Sequence, residues 1–255
     1  MLSQEERDER EFERARNYDR TVRYQFVDCR WELGDPDRGR QLYLEGHVPG
    51  ASFLDVDADL SDLSKAGEGR HPLPGADRFA AAAARAGIGS EVFVVAYGST
   101  GGAERLWWLL RHFGHEGCAV VLGGIESWGG ALRSGLEEIE PAAFAPRRRG
   151  GDTIDADEIL ERRDDLVVVD ARVASRWRGE PNPIDEVPGR IPGALNAPWN
   201  EAVPELPPGE VAAYCGSGVT SSVTVHRLWL AGRDARLYPG SWSQWESLGL
   251  PVERD

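Results

Sequence analysis

The sequence predicts an α/β fold, with mainly parallel sheets covered by helices on both faces and the whole pattern laid down twice. Three observations predict it. Short Val-rich runs alternate with helical stretches, as in parallel strands joined by crossover helices. A set of motifs in the first half recurs in the same order in the second. A stretch rich in Pro, Gly and Arg separates the two copies.

The repeat opens on a strand. Phe26-Val27-Asp28-Cys29-Arg30-Trp31 matches Val168-Val169-Asp170-Ala171-Arg172, and Leu166-Val167-Val168-Val169 has the unbroken apolar character of a buried strand. A turn follows in each copy: Gly46-His47-Val48-Pro49-Gly50-Ala51 and Gly189-Arg190-Ile191-Pro192-Gly193-Ala194. Val92-Phe93-Val94-Val95-Ala96-Tyr97 is the next buried strand, and Ala96-Tyr97-Gly98 aligns with Ala213-Tyr214-Cys215. Helical patterns come after both strands. Ala103 to Phe113 places Leu106, Leu109 and Leu110 on one side, and Ser221 to Leu230 carries Val225, Leu228 and Trp229. Each copy ends on a Gly turn and Trp, Gly123 to Trp128 and Gly240 to Trp245. So long a period indicates two similar domains, because solenoid repeats run roughly 20–50 residues. The expected boundaries are 18–140 for the first domain, 141–152 for a linker and 153–255 for the second. Arg147-Arg148-Arg149 reads as part of a solvated linker, and residues 1–17, dense in charge, as a loose helix or arm.

Composition narrows the function. A net charge of −14 disfavours nucleic acid and anionic membrane as partners. The N-terminal residues are charged and lack an apolar core, and no run reaches the roughly 18 apolar residues of a membrane helix, so a cytoplasmic protein is expected. The three Cys, at 29, 118 and 215, make a poor disulfide framework and show no zinc-ligand spacing. Cys29 and Cys118 read as inert core residues. No metal or organic cofactor is implied.

Cys215 differs. It ends the strand Val211-Ala212-Ala213-Tyr214 and opens Cys215-Gly216-Ser217-Gly218-Val219-Thr220, a strand-to-helix connection of small residues. Two Gly let such a backbone turn successive N–H groups inward at a helix N-terminus, which stabilises a thiolate. In open parallel sheets, ligands bind at the carboxyl ends of the strands, where Cys215 lies. A phosphate loop is disfavoured because there is no Lys. Phosphate-ester hydrolysis by such a Cys calls for an Arg fork six positions on, and that position is Ser221.

In this order the motifs resemble the tandem rhodanese-type sulfurtransferases, which include thiosulfate and 3-mercaptopyruvate sulfurtransferases. The likeness runs from about Tyr24 onward through Val27 to Trp31, Gly46 to Ala51, His71-Pro72-Leu73-Pro74, Arg105 to Gly114, Asp170-Ala171-Arg172, Arg176-Trp177-Arg178-Gly179, Cys215 to Thr220 and Gly240 to Trp245. It implies two tandem rhodanese-like domains, the second catalytic and the first degenerate, since Gly98 stands at the Cys position. It also implies two-step nucleophilic catalysis: Cys215 takes sulfane sulfur from a donor as a persulfide, and a thiophile such as cyanide, a thiol or thioredoxin removes it.

The resemblance assigns roles. Backbone N–H groups from Gly216 through Ser217, Gly218 and Val219 to Thr220 stabilise charge, and Arg176 binds the donor, with Arg178 a second choice. Trp31 and His47 come from the first copy, and Ser217 relays a proton with His47 and an acid such as Asp37. For His47 a second reading stays open, a hydrogen bonder that holds its own turn. Asp170 and Arg172 read as structural. Two departures bear on the donor. The second Arg expected for mercaptopyruvate is replaced near Ile184, and Arg190 stands where His is usual, adding potential near the cleft or facing solvent. Thiosulfate and 3-mercaptopyruvate both stay open as donors. The rival function is a non-enzymatic persulfide carrier or redox-sensing module.

Overall fold

The strand β1 (Arg23–Cys29) runs parallel to β2 (Ser52–Phe53) on one side and to β3 (Val92–Gly98) on the other, and β4 (Cys118–Val120) pairs with β3. Helices α1 (Arg38–Glu45), α2 (Ala76–Arg85) and α3 (Gly102–His112) connect them, and a 3₁₀ turn spans Gly124–Ser127. The second half repeats the plan with α4 (Ala156–Arg162), β5 (Leu166–Asp170), α5 (Ala174–Arg178), β6 (Leu195–Asn196), β7 (Glu210–Tyr214), α6 (Ser221–Leu230), β8 (Arg236–Leu237) and α7 (Ser241–Ser247). The sheet orders are β2-β1-β3-β4 and β6-β5-β7-β8, so the sequence repeat is a repeat of topology. This computed structural model describes residues 22–162 and 165–255; the arm expected at 1–17 lies outside them.

The chain divides into two units. One comprises residues 1–60 and 74–149, the other residues 61–73 and 150–255. A short segment between β2 and α2 in sequence therefore belongs with the second half. Residues 142–149 are tied to the first unit, where Ala142, Arg147 and Arg149 donate backbone N–H groups to Ala84, Phe113 and His112 carbonyls.

Buried charge pairs account for the repeated motifs. Arg30 donates to both Asp28 carboxylate oxygens and to the carbonyls of Leu42 and Gly46. Arg172 does the same with Asp170 and reaches the carbonyl of Gly189. In each unit the guanidinium thus ties the end of the first strand to the Gly-x-x-Pro-Gly turn. A strand Tyr completes the tie, its hydroxyl accepting the Val48 N–H in one unit (Tyr97) and the Ile191 N–H in the other (Tyr214). A buried guanidinium is tolerable only with its donors satisfied in this way. In the second unit the core packs Leu166, Val168, Tyr214, Tyr238, Trp242 and Trp245 together.

Two helices differ from expectation. α3 buries Trp107 and Trp108 along with its Leu residues, leaving almost no solvent face. On α6, Trp229 is exposed, while the polar Ser221, Ser222, Thr224 and His226 are buried. Its inner surface therefore mixes these polar residues with Val223, Val225 and Leu228, and Ser222 Oγ donates to the Gly218 carbonyl of the Cys215 loop at 3.4 Å.

Candidate active site

β7 ends at Tyr214 and α6 begins at Ser221, so Cys215 to Thr220 forms the connection. Gly218 takes a φ of +82°, and a Cβ there would lie 2.5 Å from the Pro239 carbonyl oxygen, so glycine is required twice over. The curl aims the Gly218 N–H at Cys215 Sγ (3.1 Å), with the Ser217 N–H at 3.5 Å. The Ser221 hydroxyl, buried without another partner among the described residues, also acts on the sulfur.

Cys215 is 1% exposed. Burial pushes its thiol up, but the hydroxyls of Ser221 and Thr220 and the N–H groups of Ser217 and Ser221 outweigh it, and the pKa falls below the ordinary value. The other thiols contrast with it. Cys29 is fully buried and pushed well up, by burial first and then by Asp28. Cys118 is buried in β4.

The turn at Gly240 holds Cys215 from behind. Ser241 Oγ accepts the Cys215 N–H at 3.1 Å and donates to the Tyr238 carbonyl at 2.9 Å. Trp242 and Ser243 donate backbone N–H groups to the carbonyls of Cys215 and Gly216. Ser241 does this at a φ of +51°, in the left-handed region that a side chain disfavours. The matching residue of the first copy is Gly124, at φ +63°.

The segment 67–71 lies on the same turn. Gln244 donates to the Gly67 carbonyl, and the Arg70 N–H donates to Ser243 Oγ at 2.9 Å. His71 follows, buried, with Nδ1 2.7 Å from Ser217 Oγ. This histidine is the residue beside the Cys215 loop whose contact sequence reasoning misses. Its motif His71-Pro72-Leu73-Pro74 carries the family resemblance, but its sequence distance from Cys215 hides the contact.

His47, expected in that place, is 0% exposed, with Nδ1 on the Tyr43 carbonyl (2.8 Å) and Nε2 on Glu137 Oε1 (3.3 Å). Both nitrogens serve its own turn, and neither meets Asp37. The carboxylate of Asp37 is exposed at the start of α1 and caps nothing. The expected His47–Asp37 relay is therefore not formed. Trp31 packs within its own unit, its Nε1–H donating to the Thr100 carbonyl at 3.3 Å.

Arg176 does reach the loop. A Cβ on Gly216 would lie 2.9 Å from Arg176 Nη2, so the guanidinium rests against the residue next to Cys215. Asp185 clamps it from the other side through Nε and Nη2, and also pairs with Arg172 at 3.3 Å. Burial raises the Asp185 carboxyl, but Arg176, Arg172 and Asn182 outweigh this and hold its pKa low. Arg178 points its guanidinium at Glu180 on the surface. Arg190 does not face solvent. It is buried, stacked on Trp177 at 4.0 Å and paired with Glu253 and Asp255 near the C-terminus.

The first copy differs at this place in more than its missing thiol. Only three residues separate Gly98 from the start of α3, against five between Cys215 and α6. A Cβ on Gly98 would lie 2.9 Å from the Cys29 carbonyl oxygen. That end of β3 has neither the cradle nor room for a side chain.

Comparison with known proteins agrees with the geometry. The rhodanese-like domain model matches residues 11–131 and 155–248. The chain is 37% identical to a putative thiosulfate sulfurtransferase, SseB, of Mycobacterium tuberculosis, covering 87% of each. It is also 37% identical to a probable 3-mercaptopyruvate sulfurtransferase of Pseudomonas aeruginosa, over 86% of this chain and 88% of that one. The structure of the 3-mercaptopyruvate sulfurtransferase SseA from Escherichia coli superposes with a TM-score of 0.76 at 30% identity, covering 92% of this chain and 97% of that one. No helix among the described residues is long and apolar enough to cross a membrane. With two matched domains spanning most of its length, the chain belongs to the rhodanese-like family.

Proposed function

We propose that the protein is a sulfurtransferase that carries sulfane sulfur as a persulfide on Cys215, loaded from thiosulfate or 3-mercaptopyruvate and unloaded by a thiophile such as cyanide, a thiol or thioredoxin. The observation that carries this reading is Cys215 Sγ held by the N–H groups of its own loop, with its thiol pKa depressed despite burial. The sulfurtransferase names of the relatives support it.

The two donors make different demands. With thiosulfate, the thiolate attacks the sulfane sulfur, the S–S bond of the donor breaks, and sulfite leaves with the electron pair; no proton moves. With 3-mercaptopyruvate, the thiolate attacks the thiol sulfur, the C–S bond breaks, and the carbon leaves as the enolate of pyruvate. The proton on the donor's sulfur must leave, and the enolate carbon must gain one. Ser217 and His71 are placed to relay it, and this pair favours mercaptopyruvate as a donor. Arg176 fits the carboxylate or sulfonate end, and N–H groups from Gly216 to Thr220 stabilise the persulfide anion. Arg178, Trp31, His47 and Asp37 remain outside this proposed chemistry. The first unit, with Gly98 at the end of β3, is read as catalytically silent.

The test is a mass gain of about 32 Da on Cys215 after exposure to either donor, followed by steady-state turnover with a thiol acceptor. No adduct on wild type would refute the proposal. An adduct without turnover would establish the carrier or sensor reading instead.

A further inference from the structure

The charges around Cys215 sum to a deficit. Arg172 and Arg176 are matched by Asp170 and Asp185 in one connected cluster, so its net charge is zero. The thiolate adds a negative charge, and the whole chain carries −14. An anionic donor approaching this sulfur would meet repulsion unless a further cation stands near.

Arg70 is that cation. Among the described residues it makes no ion pair. Its guanidinium donates to the Ile184 carbonyl at 3.1 Å. Ile184 belongs to the turn 182–185, built on Asn182, whose Asp185 clamps Arg176. Two guanidinium groups thus meet one short turn, one neutralised and one not. The Arg70 backbone is bonded to Ser243, which in turn holds Gly216, and the next residue, His71, holds Ser217. Glu246 senses the Arg70 charge, yet its Oε2 is engaged by the Val187 N–H at 2.9 Å.

We propose that Arg70, resting on the Ile184 carbonyl, supplies the net positive charge that admits anionic sulfur donors to Cys215. The inference deepens the sulfur-transfer reading by fixing the donor class as anionic, and it rests on that reading for its biological meaning. Its test does not.

Iodoacetate and iodoacetamide alkylate the same thiolate, each with loss of iodide, but only the first is an anion. On the full chain, Arg70→Gln is expected to slow iodoacetate about tenfold at low salt and leave iodoacetamide unchanged. Arg70→Lys, or Ile184→Arg added to Arg70→Gln, should restore the iodoacetate rate, because each returns a cation to the same turn. The persulfidation rate with thiosulfate, a dianion, should fall at least as far as the iodoacetate rate. Equal rates for wild type and Arg70→Gln with both reagents would overturn the proposal, as would an equal loss with both, which would place the effect on the thiolate. A wild type that shows the charge preference but forms no persulfide would sink the sulfur-transfer reading and leave the role of Arg70 standing.

Discussion

His71 Nδ1 lies 2.7 Å from Ser217 Oγ, two residues beyond Cys215, and the bond is made within one structural unit although its two partners come from different halves of the sequence. Since only mercaptopyruvate must move a proton as it gives up sulfur, His71→Gln is expected to lower its kcat by about 10²-fold. The thiosulfate rate should fall far less. Parallel losses with both donors would assign His71 to loop architecture alone.

Ser241 offers a stability test with an unusual order. At φ +51° a side chain costs about 1 kcal/mol that glycine avoids. Ser241→Gly loses the hydrogen bonds to Cys215 and Tyr238 but sheds that strain, whereas Ser241→Ala loses the same bonds and keeps it. The Gly variant should therefore be the more stable of the two by about 1 kcal/mol in denaturant unfolding, the reverse of the usual ranking. Both should turn over more slowly than wild type, because the Cys215 N–H has lost its anchor.

The depressed Cys215 pKa predicts the pH dependence of reactivity and of stability. Iodoacetamide alkylation should titrate with a midpoint below that of an ordinary thiol, and Ser221→Ala should move it upward. A depressed folded-state pKa adds stability as pH rises through it toward the unfolded value, and that stability is lost as pH falls back. Wild type should therefore gain on Cys215→Ser across that window. A difference between them that does not change with pH would contradict the depressed pKa.

Gly216→Ala tests the proposed donor-binding role of Arg176 without substituting it. The new Cβ would sit 2.9 Å from Arg176 Nη2 and push the guanidinium off the loop. KM for either donor should rise about tenfold, the order expected for loss of a charge-assisted contact. Alkylation by neutral iodoacetamide should hardly change.

What was legible in the sequence was whatever local pattern encodes. The Val-rich runs are buried parallel strands, the two halves share one sheet order, and Cys215 closes a strand in a loop whose glycines have an identifiable backbone purpose. Arg176, singled out by its motif as a donor-binding residue, lies against Gly216. The histidine was not legible in this way. His47 and His71 both sit in Pro-containing turns, and only the fold shows that one binds Glu137 and the other Ser217. Arg190 was open to two readings, added potential near the cleft or a solvent-facing side chain, because its partners Glu253 and Asp255 stand more than sixty positions on. Asp185 escaped notice because a carboxylate shared by two arginines leaves no periodic trace.

The crossing of residues 61–73 into the second unit has a consequence for how the chain can be divided. A cut between Arg149 and Gly150 separates two copies of one topology, yet the fragment bearing Cys215 would leave behind His71 and Arg70. Expressed alone, that fragment would hold Cys215 and Ser217 without the His71 contact, and adding the other fragment would turn a built-in contact into a bimolecular one, at the entropic cost of association. The first half of the sequence is thus needed to complete the second unit. A contact that spans 146 positions of sequence therefore depends on both halves being one polypeptide.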